Sequence, residues 1–172
     1  GKKNDLKELS LILAGAMIYL GKKSKYLDEG IEEAIRILKS GKVFDKFIEI
    51  VKAQNGKTDF ILHPEKYPKS KFRETIKSNS AGYLSEVNTY ELGMAAIELG
   101  AGRKTKDDKI DPKAGIIFNY KIGNTINKGI VLAELYSDSK SGIDNAKKRI
   151  ASAIKISKSK PQKLELIKTI IN

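Results

Sequence analysis

The chain has 172 residues, no cysteine, 40% apolar residues and a formal net charge of +12. This length allows one domain with a sizeable core or two modest ones, and the apolar share argues against a disordered chain. Without cysteine there is no disulfide and no thiolate metal site, and no apolar run approaches the roughly 20 residues of a membrane span, so we expect a cytoplasmic protein with no membrane partner.

The positive charge is dispersed along the chain. Only four of the 33 basic residues are arginine, the side chain that base-edge readout favours, and lysines alternate with acids, as in KKSKYLDEGIEEA. No RNP, zinc-finger or helix-turn-helix signature is present. We therefore interpret the charge as a solvated, lysine-rich surface and expect no nucleic-acid partner.

Three amphipathic helices are predicted to open the chain, because apolar residues recur there with helical spacing. They span Asp5–Leu20, about Asp28–Lys39 and about Val43–Gln54. Asn4 or Asp5 is expected to cap the first helix, and Gly21 is expected to close it in the left-handed conformation.

A segment rich in helix breakers follows, NGKTDFILHPEKYPKSKF. Pro64 and Pro68 exclude a continuous helix there and favour an extended path. We place the domain boundary near Lys69. The predicted domains are a helical segment, residues 1–68, and a second domain, residues 69–172.

The second domain alternates short strands with helices, which makes the predicted fold class α+β with a mixed, largely antiparallel sheet. FRETIKS and GYLSEV are predicted strands around a tight reversal at Asn79–Gly82, and TYELGMAAIELG is a helix capped by Asn88 or Thr89. Further predicted elements are strands in AGIIFNYKIG and GIVLAELYS, a helix over about Ile143–Ile156 and a closing strand, KLELIKTII.

The strand runs AGIIFNYKIG and GIVLAELYS, joined through NTINKG, resemble a hairpin of the barrel-sandwich kind found in lipoyl carriers. Those carriers present a modified lysine after an acidic residue at a hairpin tip. No Asp-Lys or Glu-Lys pair occupies the tip here. The pattern therefore predicts the hairpin without a carrier lysine.

The segment GAGRKTKDDKIDPKAG, residues 100–115, places glycines beside Arg103 after a predicted helix. A phosphate-binding P-loop requires GxxxxGK followed by Ser or Thr, and a dinucleotide loop requires GxGxxG between a strand and a helix. Neither string is present. We interpret the segment as a structural loop in which Gly100 closes the helix and Gly102 tolerates positive φ.

Other candidate chemical residues are isolated in sequence. His63 is the only histidine and has no neighbouring nucleophile, which favours a surface role over general base catalysis. Asp107, Asp108 and Asp111 lack the spacing of a calcium loop, so we interpret them as solvated and turn-forming. The residues alone identify no catalytic constellation, no metal site and no cofactor.

Three strings taken in order carry a family resemblance: SGKVFDKFIEIVKAQNG, GYLSEVNTYELGMAAIELGAGRKTKDDKIDPKAGI and KIGNTINKGIVLAELYS. Together they resemble the carboxy-terminal part of the bacterial pyrimidine nucleoside phosphorylases, which include thymidine phosphorylase. The resemblance implies reversible phosphorolysis of a pyrimidine nucleoside to the free base and a pentose 1-phosphate. It also implies a cleft between a small helical domain and a large α/β domain, and a homodimer built through the small helical domain. On this resemblance, residues 1–68 are expected to belong to the large α/β domain and residues 69–172 to form the family's C-terminal domain.

This sequence departs from the family pattern in its chemistry. The family's phosphate-binding run, of the Lys-His-Ser-Thr-Gly-Gly type, is absent, and so is the Arg, Ser and Lys set that holds the base. Carried over residue by residue, the lists of catalytic and substrate-binding residues are empty. The resemblance thus implies the carboxy-terminal portion of a longer pentosyltransferase, inactive by itself, with its preference for thymidine or uridine set elsewhere.

Within such an enzyme we expect Gly100, Gly102 and Arg103 to border the cleft and help it close. The alternative functions are a stand-alone basic binding module and an oligomerising module. A further expectation concerns the apolar face of the first helix, which should be buried again against the carboxy-terminal half or against a second chain. That face consists of Leu6, Leu9, Leu13, Met17 and Leu20.

Overall fold

A computed structural model describes residues 4–162 and 165–171. The chain divides into two compact units. Unit 1 comprises Gly1–Tyr67 with Glu165–Asn172, and unit 2 comprises Pro68–Leu164. Helices come first and antiparallel sheets follow, so the predicted α+β class is confirmed.

Unit 1 begins with the three helices that the periodicity predicts. They are α1 (Asp5–Leu20), α2 (Leu27–Lys39) and α3 (Lys42–Ala53). Asn4 caps α1, because its side-chain oxygen accepts a hydrogen bond from the Leu6 N–H at 2.9 Å. The predicted left-handed closure at Gly21 is wrong: Gly21 has φ −74°, and Lys22 takes the positive angle at φ 57°.

Helices α1 and α2 pack closely through two glycines. A Cβ on Gly30 would lie 2.4 Å from the Gly15 carbonyl oxygen, and a Cβ on Gly15 would lie 2.5 Å from Ile31 Cγ1. Because neither glycine carries a side chain, the two backbones approach more closely than alanine would permit. The predicted burial of the apolar face of α1 against the carboxy-terminal half is not observed, because most of its members are 52–75% exposed: Leu6, Leu13, Met17 and Leu20.

The extended path predicted between the helices and the first strand is wrong. Asp59–Leu62 forms a short helix, α4, and Pro64–Lys66 forms a 3-10 turn. The physical reason is that proline is accepted in the first turn of a helix. The backbone leaves the helical conformation at His63, where φ is −132°, so α4 ends before Pro64. Pro64 then begins the 3-10 turn.

Unit 2 contains two three-stranded antiparallel sheets and two helices. Its elements are β1 (Phe72–Lys77), β2 (Gly82–Val87), α5 (Thr89–Leu99), β3 (Gly115–Phe118), β4 (Thr125–Ile126), β5 (Val131–Ser137), α6 (Lys140–Ala153) and β6 (Ile154–Ser157). The strand orders are β1-β5-β3 in the first sheet and β4-β2-β6 in the second. Neither sheet of the described chain closes into a barrel.

The predicted strands β1 and β2 exist, but the reversal between them does not form a hairpin. Thr75 of β1 pairs with Glu134 of β5, whereas Leu84 of β2 pairs with Ile156 of β6. The turn residues keep the connection short, but they do not determine which strand β1 or β2 pairs with. The chain therefore crosses from one sheet to the other. Ser78, which is buried, anchors this crossing by donating its N–H to the Ile130 carbonyl at 2.9 Å.

The antiparallel pair predicted from AGIIFNYKIG and GIVLAELYS is present. Ile116 of β3 pairs with Leu135 of β5 in the first sheet. The connection between them includes β4, in which Ile126 pairs with Gly82 of β2 in the second sheet. The segment therefore links the two sheets.

The carboxy-terminal elements differ from the prediction. Helix α6 ends at Ala153, and Ile154–Ser157 forms β6 rather than a last helical turn. The β-branched Ile154 and Ile156 alternate with polar residues, a pattern that suits a strand beside β2. The predicted closing strand is wrong for residues 165–171, which carry no strand, while residues 163–164 lie outside the described part of the chain.

Two apolar clusters form the core of unit 2. The first joins α5 and α6 to the inner face of β5, and the second lies around Leu84, Ile126 and Leu132. Fully or almost fully buried members of the first are Ala95, Leu99, Ala133, Leu135, Ile143, Ala146 and Ile150. Since α5 is held in this cluster, the loop that follows it starts from a fixed point.

Candidate functional site

The segment with residues 100–114, here called the Gly100 loop, connects α5 to β3. Gly100 closes α5 with φ 100° and donates its N–H to the Ile97 carbonyl at 3.0 Å, as predicted. The positive φ predicted for Gly102 is wrong. The constraint at Gly102 is steric, because a Cβ there would lie 2.7 Å from Ile97 Cγ1.

Asp108 organises the first half of the Gly100 loop. Its carboxylate accepts the Lys104 N–H at 2.8 Å, the Thr105 N–H at 3.0 Å and the Thr105 hydroxyl at 2.8 Å. These bonds, those from Thr105 above all, lower the pKa of the Asp108 carboxyl below its ordinary value. The turn-forming role predicted for Asp108 therefore has a structural basis.

Glu98, in the last turn of α5, ties the loop to its own helix and to α6. Lys104 Nζ lies 2.7 Å from its carboxylate, and Asn145 Nδ2 and Arg149 Nε lie 3.4 and 3.7 Å away. The Glu98 side chain is only 11% exposed. The hydrogen bond from Lys104 is the main cause that lowers the pKa of Glu98.

The second half of the loop is held at Asp111 and Lys113. The Asp111 N–H donates to the Gly100 carbonyl at 2.9 Å, which closes the loop on itself. The Ser70 hydroxyl donates to the Lys113 carbonyl at 2.8 Å, and the Lys113 ammonium donates to the Asp138 carboxylate at the end of β5. These bonds join segments that are 25 and 43 residues apart in sequence.

The Gly100 loop presents three cations that have no partner in the described part of the chain. Arg103, Lys106 and Lys109 are exposed and make no hydrogen bond or ion pair with the described residues. Arg103 lies between Gly102, which is pressed against Ile97, and Lys104, which is bound by Glu98. Its backbone is held on both sides while its guanidinium is available to an anion.

A second group of titratable side chains lies across β1 and β5. Arg73 Nη2 and the Tyr136 hydroxyl both donate to Glu134 Oε2 at 2.6 Å. The bond from Tyr136, and then the one from Arg73, lowers the pKa of Glu134, while the bond to Glu134 and burial raise the pKa of Tyr136. These groups satisfy one another, so we interpret them as a cross-strand link.

The remaining candidate residues form no catalytic or metal-binding cluster within the described ranges. His63 is exposed, with Nε2 3.9 Å from Asp59 Oδ1 and Nδ1 3.5 Å from Glu65 Oε1. Within the described ranges no three His, Cys, Asp or Glu side chains are grouped closely enough to hold a metal ion, Asp107, Asp108 and Asp111 included. No helix among residues 4–162 and 165–171 has the length and apolar character for a bilayer span.

A cleft of about 210 Å³ lies beside the crossing between the two sheets. Lys77 is the only ionisable residue among those that line it, and the others are small polar or aliphatic residues. These lining residues therefore include no pair of ionisable side chains.

Comparison with known proteins places the Gly100 loop in a known domain. Residues 83–157 match the family model described as the pyrimidine nucleoside phosphorylase C-terminal domain. The chain is 35% identical over 167 residues to the pyrimidine-nucleoside phosphorylase of Bacillus subtilis (strain 168), covering 97% of this chain and 38% of that relative. It is 36% identical over 152 residues to the one from Staphylococcus aureus (strain USA300), covering 88% and 35%.

The chain matches the carboxy-terminal part of the pyrimidine nucleoside phosphorylase family. The resemblance seen in the three sequence strings is thereby confirmed. The chain spans less than two fifths of the length of these relatives. The identity extends through unit 1, whereas the domain model begins at residue 83, inside unit 2.

Sequence reasoning missed the residues that hold the Gly100 loop in place. Glu98 and Asp138 each bind a lysine of the loop, and Ser70 binds its backbone. Glu98 and Lys104 are six residues apart on either side of a helix end, a separation that no helical spacing rule covers. Asp138 and Ser70 are brought to the loop only by the pairing of β1 and β3 with β5.

Proposed function

We propose that this chain is the carboxy-terminal part of a pyrimidine-nucleoside phosphorylase. The proposed reaction is the phosphorolysis of a pyrimidine nucleoside to the free base and a pentose 1-phosphate, with inorganic phosphate as a substrate and no cofactor. The observation that carries the proposal is 35% identity to the Bacillus subtilis enzyme over 97% of this chain, together with the match of residues 83–157 to the C-terminal domain. We further propose a cytoplasmic homodimer.

Within that enzyme, the proposed role of this chain is structural rather than catalytic. The 172 residues lack a Lys-His-Ser-Thr-Gly-Gly type of phosphate-binding run. The cleft contains no acid-base pair, and each titratable group shifted by a close contact is bound by a structural partner. We expect the groups that hold phosphate and base to be supplied by the rest of the enzyme.

The proposed contribution to activity comes from the Gly100 loop. We propose that Gly100, Gly102 and Arg103 border the substrate cleft and help it close. The support is the arrangement of the loop, whose backbone is held on both sides of a guanidinium that has no partner among the described residues. Closing a cleft positions reactants and excludes water, and such positioning makes large contributions to rate.

A chimaera tests the proposed function. This chain replaces the matched carboxy-terminal portion of the Bacillus subtilis enzyme, and phosphate-dependent release of base is measured with uridine and thymidine in parallel. We expect activity from the chimaera and none from the 172-residue chain alone. Phosphorolysis by the chain alone would refute the structural role, and a folded but inactive chimaera would refute the family assignment of function.

Arg103→Ala in the chimaera tests the role of the loop. Loss of a charge-assisted contact costs about 1.5–3 kcal/mol, so kcat/KM should fall by roughly 10- to 100-fold. Arg36→Ala is the matched control, because Arg36 is also exposed and its partner is Glu33 on the same helix. Unchanged kinetics for Arg103→Ala would contradict the proposal.

A stand-alone basic binding or oligomerising module is the alternative. The observation in its favour is the net charge of +12, together with three exposed cations that form no ion pair with any described residue: Arg103, Lys106 and Lys109. Filter binding of the isolated chain to DNA at two salt concentrations tests it, since phosphate contacts weaken steeply as salt rises. Tight, salt-dependent binding would favour the binding module, and a stable oligomer by sedimentation would favour the oligomerising one.

A further inference from the structure

Lys104, which follows Arg103 in the Gly100 loop, is bound at both its backbone and its side chain. Its N–H donates to the Asp108 carboxylate at 2.8 Å, and its ammonium donates to the Glu98 carboxylate at 2.7 Å. An exposed ion pair on a flexible stem contributes little to stability when both partners are mobile. What this pair does therefore depends on how firmly its acidic partner is held.

Glu98 is held by two helices. Its side chain, in the last turn of α5, is only 11% exposed. From α6, Asn145 Nδ2 and Arg149 Nε lie 3.4 and 3.7 Å from the carboxylate. Arg149 is in turn bound by Glu91 of α5, with 2.7 Å between Nη1 and Oε2. The Lys104 ammonium thus binds a carboxylate whose position α5 and α6 both fix.

Asp108 fixes the backbone of the same residue. Its carboxylate also accepts the Thr105 N–H at 3.0 Å and the Thr105 hydroxyl at 2.8 Å. The Asp108 N–H donates to the Thr105 carbonyl at 3.2 Å, which closes a turn. Lys104 therefore lies where this turn is attached to the end of α5.

Arg103 lies between two fixed neighbours and has no partner in the described part of the chain. On one side, Gly102 packs so closely on α5 that a Cβ would lie 2.7 Å from Ile97 Cγ1. On the other side is Lys104. A group whose backbone is fixed before its ligand arrives loses less conformational entropy when the contact forms.

We propose that Lys104 is a positioning residue, which through Glu98 and Asp108 fixes the backbone from which Arg103 reaches an anionic group of the reactants. This inference rests on the proposed function and adds the residue on which the action of Arg103 depends. The Lys104 ammonium is already bound by Glu98, so its effect on the rate passes through Arg103. An ion pair that only stabilised the fold would affect activity whether or not Arg103 was present.

Lys104→Met tests the proposal, and Lys155→Met is the matched control. Both substitutions keep most of the aliphatic stem and remove one ammonium from an ion pair with an N–O distance of 2.7 Å. Both lysines are more than half exposed, at 54% and 66%, but the partner of Lys155 is Glu86 on β2. In Lys104→Met, Glu98 keeps its contact with Arg149, so we expect the fold to persist.

The first measurement is the backbone order parameter of Arg103, from NMR relaxation of the 172-residue chain. We expect it to fall from about 0.85, the value of a rigid backbone, to below about 0.6 in Lys104→Met, and to stay unchanged in Lys155→Met. Lys104→Arg should restore it, because a guanidinium can donate to the same carboxylate. An unchanged order parameter in Lys104→Met overturns the inference.

The second measurement is a double-mutant cycle in the chimaera with the Bacillus subtilis enzyme. Lys104→Met should lower kcat/KM by about tenfold when Arg103 is present and by less than about twofold in the Arg103→Ala background. Lys104→Arg should recover most of the loss. An equal loss in both backgrounds would show that Lys104 acts independently of Arg103, and it overturns the inference.

The two measurements separate this inference from the proposed function. An inactive chimaera refutes the proposed function, and a neutral Arg103→Ala refutes the role of the loop in it. In either case the order parameter still decides whether Lys104 fixes Arg103: a fall supports the positioning and an unchanged value overturns it. A chimaera that responds to Arg103→Ala but not to Lys104→Met supports the proposed function and overturns this inference.

Discussion

At the scale of single residues, some glycines of this chain lie where a side chain would collide with a neighbour, and others lie where φ is positive. Gly100 has φ 100°, whereas Gly102 and Gly30 are needed because a Cβ would collide with Ile97 and with the Gly15 carbonyl. Gly93 has neither constraint, since a Cβ placed there would meet no atom within 4 Å. The same residue type therefore has opposite energetic consequences at different positions.

Gly30→Ala should destabilise unit 1, and Gly93→Ala should stabilise unit 2. At Gly30 the added Cβ would lie 2.4 Å from a backbone oxygen, so α1 and α2 must separate at a cost of about 1–3 kcal/mol. At Gly93, inside α5, alanine should add about 0.5–1 kcal/mol. Circular dichroism during thermal unfolding measures both, and a neutral Gly30→Ala would contradict the close helix contact.

At the scale of elements, an ion-pair cluster joins α6 to β1. Glu74 on β1 accepts hydrogen bonds from Lys147 at 2.9 Å and Lys140 at 3.0 Å, both on α6. The bond from Lys147, followed by that from Lys140, lowers the pKa of Glu74 below its ordinary value of 4.5. Because the folded pKa is lowered, the ionised carboxylate stabilises the fold above the unfolded pKa.

Glu74→Gln should therefore lower the unfolding midpoint at pH 7 by a few degrees. The difference from the unsubstituted chain should shrink as pH falls below about 4.5 and through the lower folded pKa, because protonated Glu74 no longer attracts the lysines. Thermal unfolding from pH 7 to pH 3 measures it. The control is Glu32→Gln, at an exposed carboxylate that has no partner among the described residues. This substitution should leave the unfolding midpoint unchanged throughout the pH range. A Glu74 effect that persists unchanged at pH 3 would exclude the ionic cause.

At the scale of the whole molecule, the buried core belongs to one of the two units. Both apolar clusters lie in unit 2, and Ala34 is the only buried hydrophobic residue of the described part of unit 1. Burial of apolar surface is the main stabilising contribution to folding. Unit 2 thus contains the interactions that an independent domain needs, whereas we expect unit 1 alone to be only marginally stable.

Residues 68–162 expressed alone should fold cooperatively, with an unfolding midpoint close to that of the main transition of the full chain. Residues 4–67 alone should unfold without a cooperative transition. Differential scanning calorimetry of the three polypeptides measures this.

Leu135→Ala provides the control for that experiment, because Leu135 is fully buried in the first cluster. It should cost about 2–5 kcal/mol in both the 68–162 piece and the full chain. A 68–162 piece that lacks a cooperative transition would show that its core is insufficient.

The helical half was predictable because its signals are local. Helical periodicity and the Asn4 cap predicted α1 to the residue, and the apolar spacing placed α2 and α3 within one residue of their ends. The strands β1 and β2 were also predicted, but their pairing was not, because a strand can take any partner that the rest of the fold brings beside it. The boundary between α6 and β6 was missed since Ile154 suits both periodicities.

In the candidate site, too, some features could be predicted from the sequence and others could not. The family was suggested by the resemblance of three sequence strings to its members. The position of the Gly100 loop and the closure of α5 at Gly100 follow from local signals along the chain, which the sequence alone contains. The attachment of that loop to Glu98, Asp138 and Ser70, and the isolation of Arg103 between fixed neighbours, were decided by the tertiary structure. The physical reason is that hydrogen bonds and ion pairs require atoms within a few ångströms, and only the folding of α5, α6 and the first sheet brings these distant residues that close.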